Sequence, residues 1–219
     1  MATEPLLRIG YAGSLKAHRP GQEQAGRWHW LTDWFWTYRN RNLHHHTRSG
    51  HYLLKGLAAC RQRHPEIAAQ IRLEWWGLID ADNARQAEEM GIAELVQIEG
   101  YLPRAASRAK LDACDVLFLP LETADDPLFI PGKLYDYLQL GKPVLVLGPE
   151  SDCTRILDRA GCGWRIDPED TEAVAEALRE MVEFRAELPR RFTTDMDYVE
   201  SHFHFRNLAK KLDGIFRDE

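Results

Sequence analysis

The feature that most constrains this chain is a series of short apolar runs, each stopped by a glycine or proline and followed by a stretch with helical spacing. Leu6 to Ala12 ends at Gly13, Ile71 to Trp76 at Gly77, Leu95 to Ile98 at Glu99-Gly100, Asp115 to Leu119 at Pro120, and Pro143 to Leu147 at Gly148-Pro149; Cys162 to Ile166 is a sixth run. Runs this short, bounded by turn residues, read as strands. Helical patterns fall between them near His51–Arg63, Ala84–Met90, Arg104–Ala113, Gly132–Leu140 and Thr154–Ala160. In Asp170 to Arg185, Ala173, Val174, Ala177, Leu178, Met181 and Val182 form one apolar face. Strands alternating with helices build βαβ units, so the expected fold is α/β, a parallel sheet of about six strands with helices on both faces. Ligands of such sheets sit beyond the carboxyl ends of the strands. The loops after Gly13, Gly77, Gly100 and Pro120 are therefore expected to ring the site.

With 219 residues, 44% of them hydrophobic, the chain is expected to form a single domain over 1–219 with a substantial core. Its formal charge of −6 and lack of a long basic run argue against nucleic acid as a partner. Cys60, Cys114, Cys153 and Cys162 show no CxxC spacing and read as reduced core residues of a cytoplasmic protein. No apolar run reaches the length of a membrane span, and MATEPLLRIGYAG does not read as a signal peptide.

Two segments interrupt the alternation. Residues 16–50 are far longer than a turn needs, and Trp28, Leu31, Phe35 and Tyr38 recur there at helical spacing among Trp30, Trp34 and Trp36. Two readings stand: an extra helix packed on its own domain, or an aromatic face turned to a partner or a membrane surface. The tail, 195–216, reads as a closing helix with Leu208, Leu212, Ile215 and Phe216 on one side.

The stretch FIPGKLYDYLQLGKPVLVL, Phe129 to Leu147, carries the most chemistry. Pro131 suits the first helical position, where its missing N–H is no loss. Gly132 lets a ligand approach the backbone, and free amides at a helix N-terminus favour an anion. Lys133 adds a charge. Asp136 falls one turn later, placed to accept hydrogen bonds from ribose hydroxyls, while Leu134, Tyr137 and Leu138 take the core side. A solvated Lys133–Asp136 pair on a helix that only packs is the competing reading. His44-His45-His46 makes a poor metal site, because consecutive side chains do not converge on one ion. Asp80 and Asp82 form no metal loop; the next helix is expected to be capped through Asp82 or Asn83. Lys55 reads as a surface residue of a helix.

The run IPGKLYDYLQLGKPVLV resembles the signature of the C-terminal domain of family 4 retaining glycosyltransferases, which have the two-domain GT-B architecture. RIGYAGSL is similar to that domain's first strand and glycine turn, IEGYLPRAASRAKLDACDVLFLPL to its central helix and strand, and AGCGWRIDPEDTEAVAEAL to its late turn and helix. The resemblance covers about Leu6 to Val182 outside the insertion, and implies a Rossmann-like donor domain. It implies that Gly10–Leu15, especially Gly13 and Ser14, lines a diphosphate; that the backbone at Gly100, Tyr101 and Leu102 meets the base; that Phe129, Ile130, Pro131, Gly132, Lys133 and Leu134 present amides to the diphosphate; and that Asp136 holds the ribose.

The implied reaction moves a sugar from a UDP- or GDP-type donor to an acceptor, with no metal or other cofactor, the acceptor domain lying elsewhere. Within the motifs, Asp136 stands where the family usually has Glu, Leu128 at its upstream Glu, and Ser14 at its first Arg. Lys16 and Arg19 are candidates for the missing positive charge, with His18 beside them. The isolated chain is expected to be inactive, and the aromatic insertion to face the acceptor domain or a peripheral membrane contact. The alternative is a non-catalytic module of the same fold that senses nucleotide or binds protein.

Overall fold

The computed structural model describes residues 6–18, 43–44, 47–121, 123–124 and 130–217, with 43–44 and 123–124 described by their backbone. Six strands form one parallel sheet: β1 (Leu7–Leu15), β3 (Ile71–Ile79), β4 (Val96–Glu99), β5 (Val116–Pro120), β7 (Val144–Leu147) and β8 (Gly163–Ile166). Their order is β4-β3-β1-β5-β7-β8. This Rossmann-like α/β architecture agrees with the sequence expectation. The winding reverses between β1 and β5, and at such a reversal the loops from neighbouring strands part and open a crevice. A two-residue antiparallel ribbon, β2 (Leu43–His44) with β6 (Thr123–Ala124), stands apart from the sheet.

The helices are α1 (His51–Arg63), α2 (Pro65–Ala68), α3 (Ala81–Glu89), α4 (Arg104–Asp112), α5 (Lys133–Leu140), α6 (Asp152–Arg159), α7 (Thr171–Glu183), α8 (Leu188–Arg191), α9 (Met196–Phe203) and α10 (Phe205–Arg217). Strand side chains alternate between two cores. Val116, Phe118, Leu145 and Leu147 face α1 and α7, packing with Leu53, Leu54, Leu57, Val174 and Leu178. Leu117, Leu119, Val144 and Val146 face the other way, toward Leu134, Tyr137 and Leu138 of α5 and Cys153 and Leu157 of α6. Burial on both faces is why the central strands read as unbroken apolar runs. Each fully buried aliphatic side chain contributes on the order of 1.5–3 kcal/mol, so both layers are firmly held.

Three expectations are corrected. β1 and β3 continue two residues past Gly13 and Gly77, because those glycines pair with each other inside the ladder. Helix α3 begins at Ala81, since Asp80 and neither Asp82 nor Asn83 is its cap; its side chain accepts from the Asp82 amide at 3.0 Å. The closing helix is two helices, α9 and α10, because His204 is extended. The aromatic part of the insertion, 19–42, and His45 and His46 lie outside the described residues. All four cysteines are free and buried. Among the described residues no helix is long and apolar enough to cross a membrane.

Candidate functional site

The carboxyl end of β1 is built around a close backbone approach. Gly13 (φ +134°) pairs with Gly77 (φ +119°), and a Cβ on Gly77 would lie 2.3 Å from the Gly13 carbonyl oxygen. Only glycine at 77 permits this contact, which lets the two strand ends close together at the edge of the crevice. The Gly77 amide donates to the Gly100 carbonyl at 3.1 Å, so the loop after β4 is tied to the same edge.

The turn after β1 is fixed by its neighbours. The Tyr11 hydroxyl donates to the Ser14 carbonyl at 2.7 Å, and Arg48 Nε reaches the same oxygen at 3.4 Å. The Lys16 amide donates to the Arg48 carbonyl at 2.9 Å, and Thr47 donates to the Leu121 carbonyl, just after β5, at 3.2 Å. The segment 47–50 thus bridges the two strands that flank the reversal. Beyond it, His18 stacks on His51 at 3.7 Å, and its amide donates to Asp82 at 3.2 Å.

Helix α5 brings its N-terminus to this turn. Leu134, Tyr137 and Leu138 are buried, which anchors the helix and leaves its first turn at the crevice. The helix begins at Lys133 with Gly132 as its cap residue, so Pro131, expected at the first helical position, stands just outside it, and the Leu134 amide donates to the Pro131 carbonyl at 2.9 Å and the Tyr135 amide to Gly132 at 3.3 Å. Among the described residues a Cβ placed on Gly132 would meet nothing within 4 Å, so they leave the backbone at the helix mouth open to a ligand.

Lys133 does not pair with Asp136. Its amine donates to the Tyr11 hydroxyl and lies 3.8 Å from the centre of the Tyr11 ring, against Gly13. Burial pulls this amine down to about 7, and nearby Arg48 adds to the effect. Asp136 instead faces Arg104, the first residue of α4, at 3.6 Å. The loop 100–103 thus lies beside α5, with Tyr101 80% exposed and Leu102 packed against the core below.

The structure therefore brings Gly13, Ser14, Lys16, Gly100, Tyr101, Leu102, Ile130, Pro131, Gly132, Lys133 and Asp136 to one end of the sheet. Leu134 contributes only backbone, as its side chain is fully buried. Arg19 and Phe129 lie outside the described residues, as does Leu128. Sequence reasoning passed over Tyr11, Arg48 and Arg104. Tyr11 sits on a buried strand and looks like core, and the other two reach the site only through folding. A surface with Lys133, Arg48 and Arg104 around an open helix mouth suits an anionic ligand.

The model of the family described as glycosyl transferases group 1 matches residues 41–183. The Pseudomonas aeruginosa protein named "Probable glycosyltransferase WbjE" is 36% identical over 85 residues, covering 38% of this chain and 21% of WbjE. Among solved structures, HepE (Alr3699) of Anabaena, crystallised in complex with UDP, superposes with a TM-score of 0.64 at 14% identity, over 98% of this chain and 49% of HepE. A glycosyltransferase of Rickettsia africae superposes with a TM-score of 0.61 at 10% identity, over 99% of this chain and 48% of the other. The chain thus spans about half the length of the solved structures it matches, and less of WbjE. With the family model matching well over half of its residues, the chain belongs to the group 1 glycosyl transferases.

Proposed function

We propose that this chain is the donor-binding half of a retaining, family 4-like GT-B glycosyltransferase, corresponding to its C-terminal domain. It binds a nucleotide-diphosphate sugar, and the sugar passes to an acceptor held by a second domain. The observation that carries this reading is the convergence of the β1 turn, the loop 100–103 and the open N-terminus of α5 at the reversal of the sheet. The turn at Gly13-Ser14 and the amides at 131–133 meet the diphosphate, Asp136 accepts from the ribose, and Tyr101 borders the base. A leaving nucleoside diphosphate gathers negative charge in the transition state, and the helix mouth with Lys133 and Arg48 stabilises it there. A uridine nucleotide is the preferred donor, because HepE was crystallised with UDP and with UDP-glucose.

In this reading the acceptor is held by a second domain, and the chain alone is inactive in transfer. Calorimetric titration with UDP, UDP-glucose and GDP tests the reading. Micromolar to millimolar binding is expected, and Asp136→Ala weakens it by roughly tenfold through loss of charge-assisted hydrogen bonds. If none of these ligands binds, the donor-site reading fails and the chain is an interaction module of the same fold. The Trp-rich insertion is proposed to face the acceptor domain or a membrane-borne acceptor. Flotation of the protein with liposomes checks the membrane contact, and its failure there removes that contact.

A further inference from the structure

The interior side of the β1 turn carries a feature that the donor-site reading does not need but that it makes sense of. Tyr11 is fully buried among the α1-side core residues, yet its hydroxyl points along the strand to the turn. There it both donates and accepts. It donates to the Ser14 carbonyl at 2.7 Å, and it accepts from the Lys133 amine. The first contact holds the segment after Gly13, and the second reaches the mouth of α5. Lys133 cannot move far without giving up this partner, because its amine also lies against Gly13, where even a Cβ would sit 2.7 Å from Nζ.

We propose that Tyr11 is a positioning residue of the donor site, whose hydroxyl ties the Ser14 carbonyl of the β1 turn to the amine of Lys133 and so sets the two phosphate-facing segments together. The proposal rests on the donor-site reading above. A phenylalanine would fill the same space in the core, so packing accounts for the ring but not for the hydroxyl.

The arrangement has a chemical consequence. Among the described residues the charged group acting on Lys133 is Arg48, from the segment before α1, and its polar partner is the Tyr11 hydroxyl; Asp136, on its own helix, is turned to Arg104. Among the described residues no carboxylate pairs with the amine, and burial pulls it down to about 7. An arriving diphosphate supplies that compensation, so Lys133 takes up a proton from solvent as the ligand binds. The sign follows directly. Below the free-state value the amine is already charged and binding is at full strength; above it, each bound ligand must draw a proton, and affinity falls with rising pH by up to about tenfold per unit.

Titration of the intact chain with UDP-glucose at pH 6, 7, 8 and 9 tests this, since the ligand's diphosphate has no group that titrates in that range. For the unaltered protein, Kd is expected to rise above pH 7. Lys133→Arg, which stays charged, is expected to remain within about threefold of the parent at pH 6 and to be nearly flat to pH 9. Tyr11→Phe is expected to weaken binding about five- to tenfold at pH 6 and to move the pH at which affinity begins to fall. A purely structural hydroxyl would weaken binding equally at every pH. If Tyr11→Phe does not fold, Lys133→Arg and Lys133→Met decide, the latter being weak and flat. Parent-like affinity and pH profile in Tyr11→Phe, or a parent-like slope in Lys133→Arg, overturns the assignment while a weakened Asp136→Ala keeps the donor site. Absence of any UDP-glucose binding overturns both.

Discussion

Gly77 and Gly132 make opposite demands on the chain, and the contrast is testable at single residues. Gly77 combines φ +119° with a Cβ position 2.3 Å from the Gly13 carbonyl oxygen, so neither the backbone nor the neighbour can yield cheaply. Gly77→Ala is expected to cost about 2–4 kcal/mol in urea unfolding, from left-handed strain together with overpacking. Gly132 has φ −56° and, among the described residues, open space around it. Gly132→Ala should therefore leave stability within about 0.5 kcal/mol, and any loss of nucleotide binding in it reports on close approach of the ligand. Asp136 offers a similarly clean probe. Its contact with Arg104 is long and solvent-exposed, worth at most about 1 kcal/mol, so Asp136→Ala should read out binding rather than folding.

Among the elements, α3 depends on two carboxylates at its start, of which the sequence favours Asp82 as the cap. Asp80 is the cap, and Asp80→Ala is expected to cost about 1 kcal/mol by denaturant unfolding. Asp82, two residues further, is instead a junction. Burial pushes its carboxyl up, but hydrogen bonds from Arg85, Gln86 and the His18 amide outweigh this and hold it below its ordinary value of 3.8. A carboxyl lowered in the folded state adds stability above its unfolded value and loses it as pH falls through the folded one. Acid unfolding between pH 4 and 2 should accordingly be less steep in Asp82→Asn, as followed by circular dichroism. The spacing Asp80, Asp82, Asn83 marks a helix start here, yet which residue caps it depends on where β3 ends, and β3 runs on to Ile79 because it pairs with β1. In α5 the reverse holds. Its core side at Leu134, Tyr137 and Leu138 was legible from spacing alone, because a short helix between two buried strands has one way to face, whereas its start falls at Lys133 and leaves Pro131 outside the first turn. The partner of Lys133 was not legible, as Tyr11 is 122 residues away in sequence.

For the whole molecule, the two apolar layers flanking the sheet hold the fold, while α10 hangs on its outside. No residue of α10 is buried, and Phe205, Leu208, Leu212, Ile215 and Phe216 are all exposed. Ending the chain after His204 is expected to shift the thermal midpoint by no more than about 2 °C, measured by scanning calorimetry, because almost no apolar area returns to water.

The sequence by itself determined the layered architecture, since runs of apolar residues stopped by glycine and interleaved with helical spacing allow little besides a parallel sheet covered on both faces. It also marked a helix start beside Pro131-Gly132, within the family motifs. The tertiary structure alone decided which groups share the crevice: Tyr11 with Lys133, Arg104 with Asp136, Arg48 with Ser14. The physical reason is range. Patterns of burial and turn chemistry act within a few residues along the chain. The charge state of Lys133 is set by the low-dielectric surroundings and the neighbours that folding assembles from distant segments.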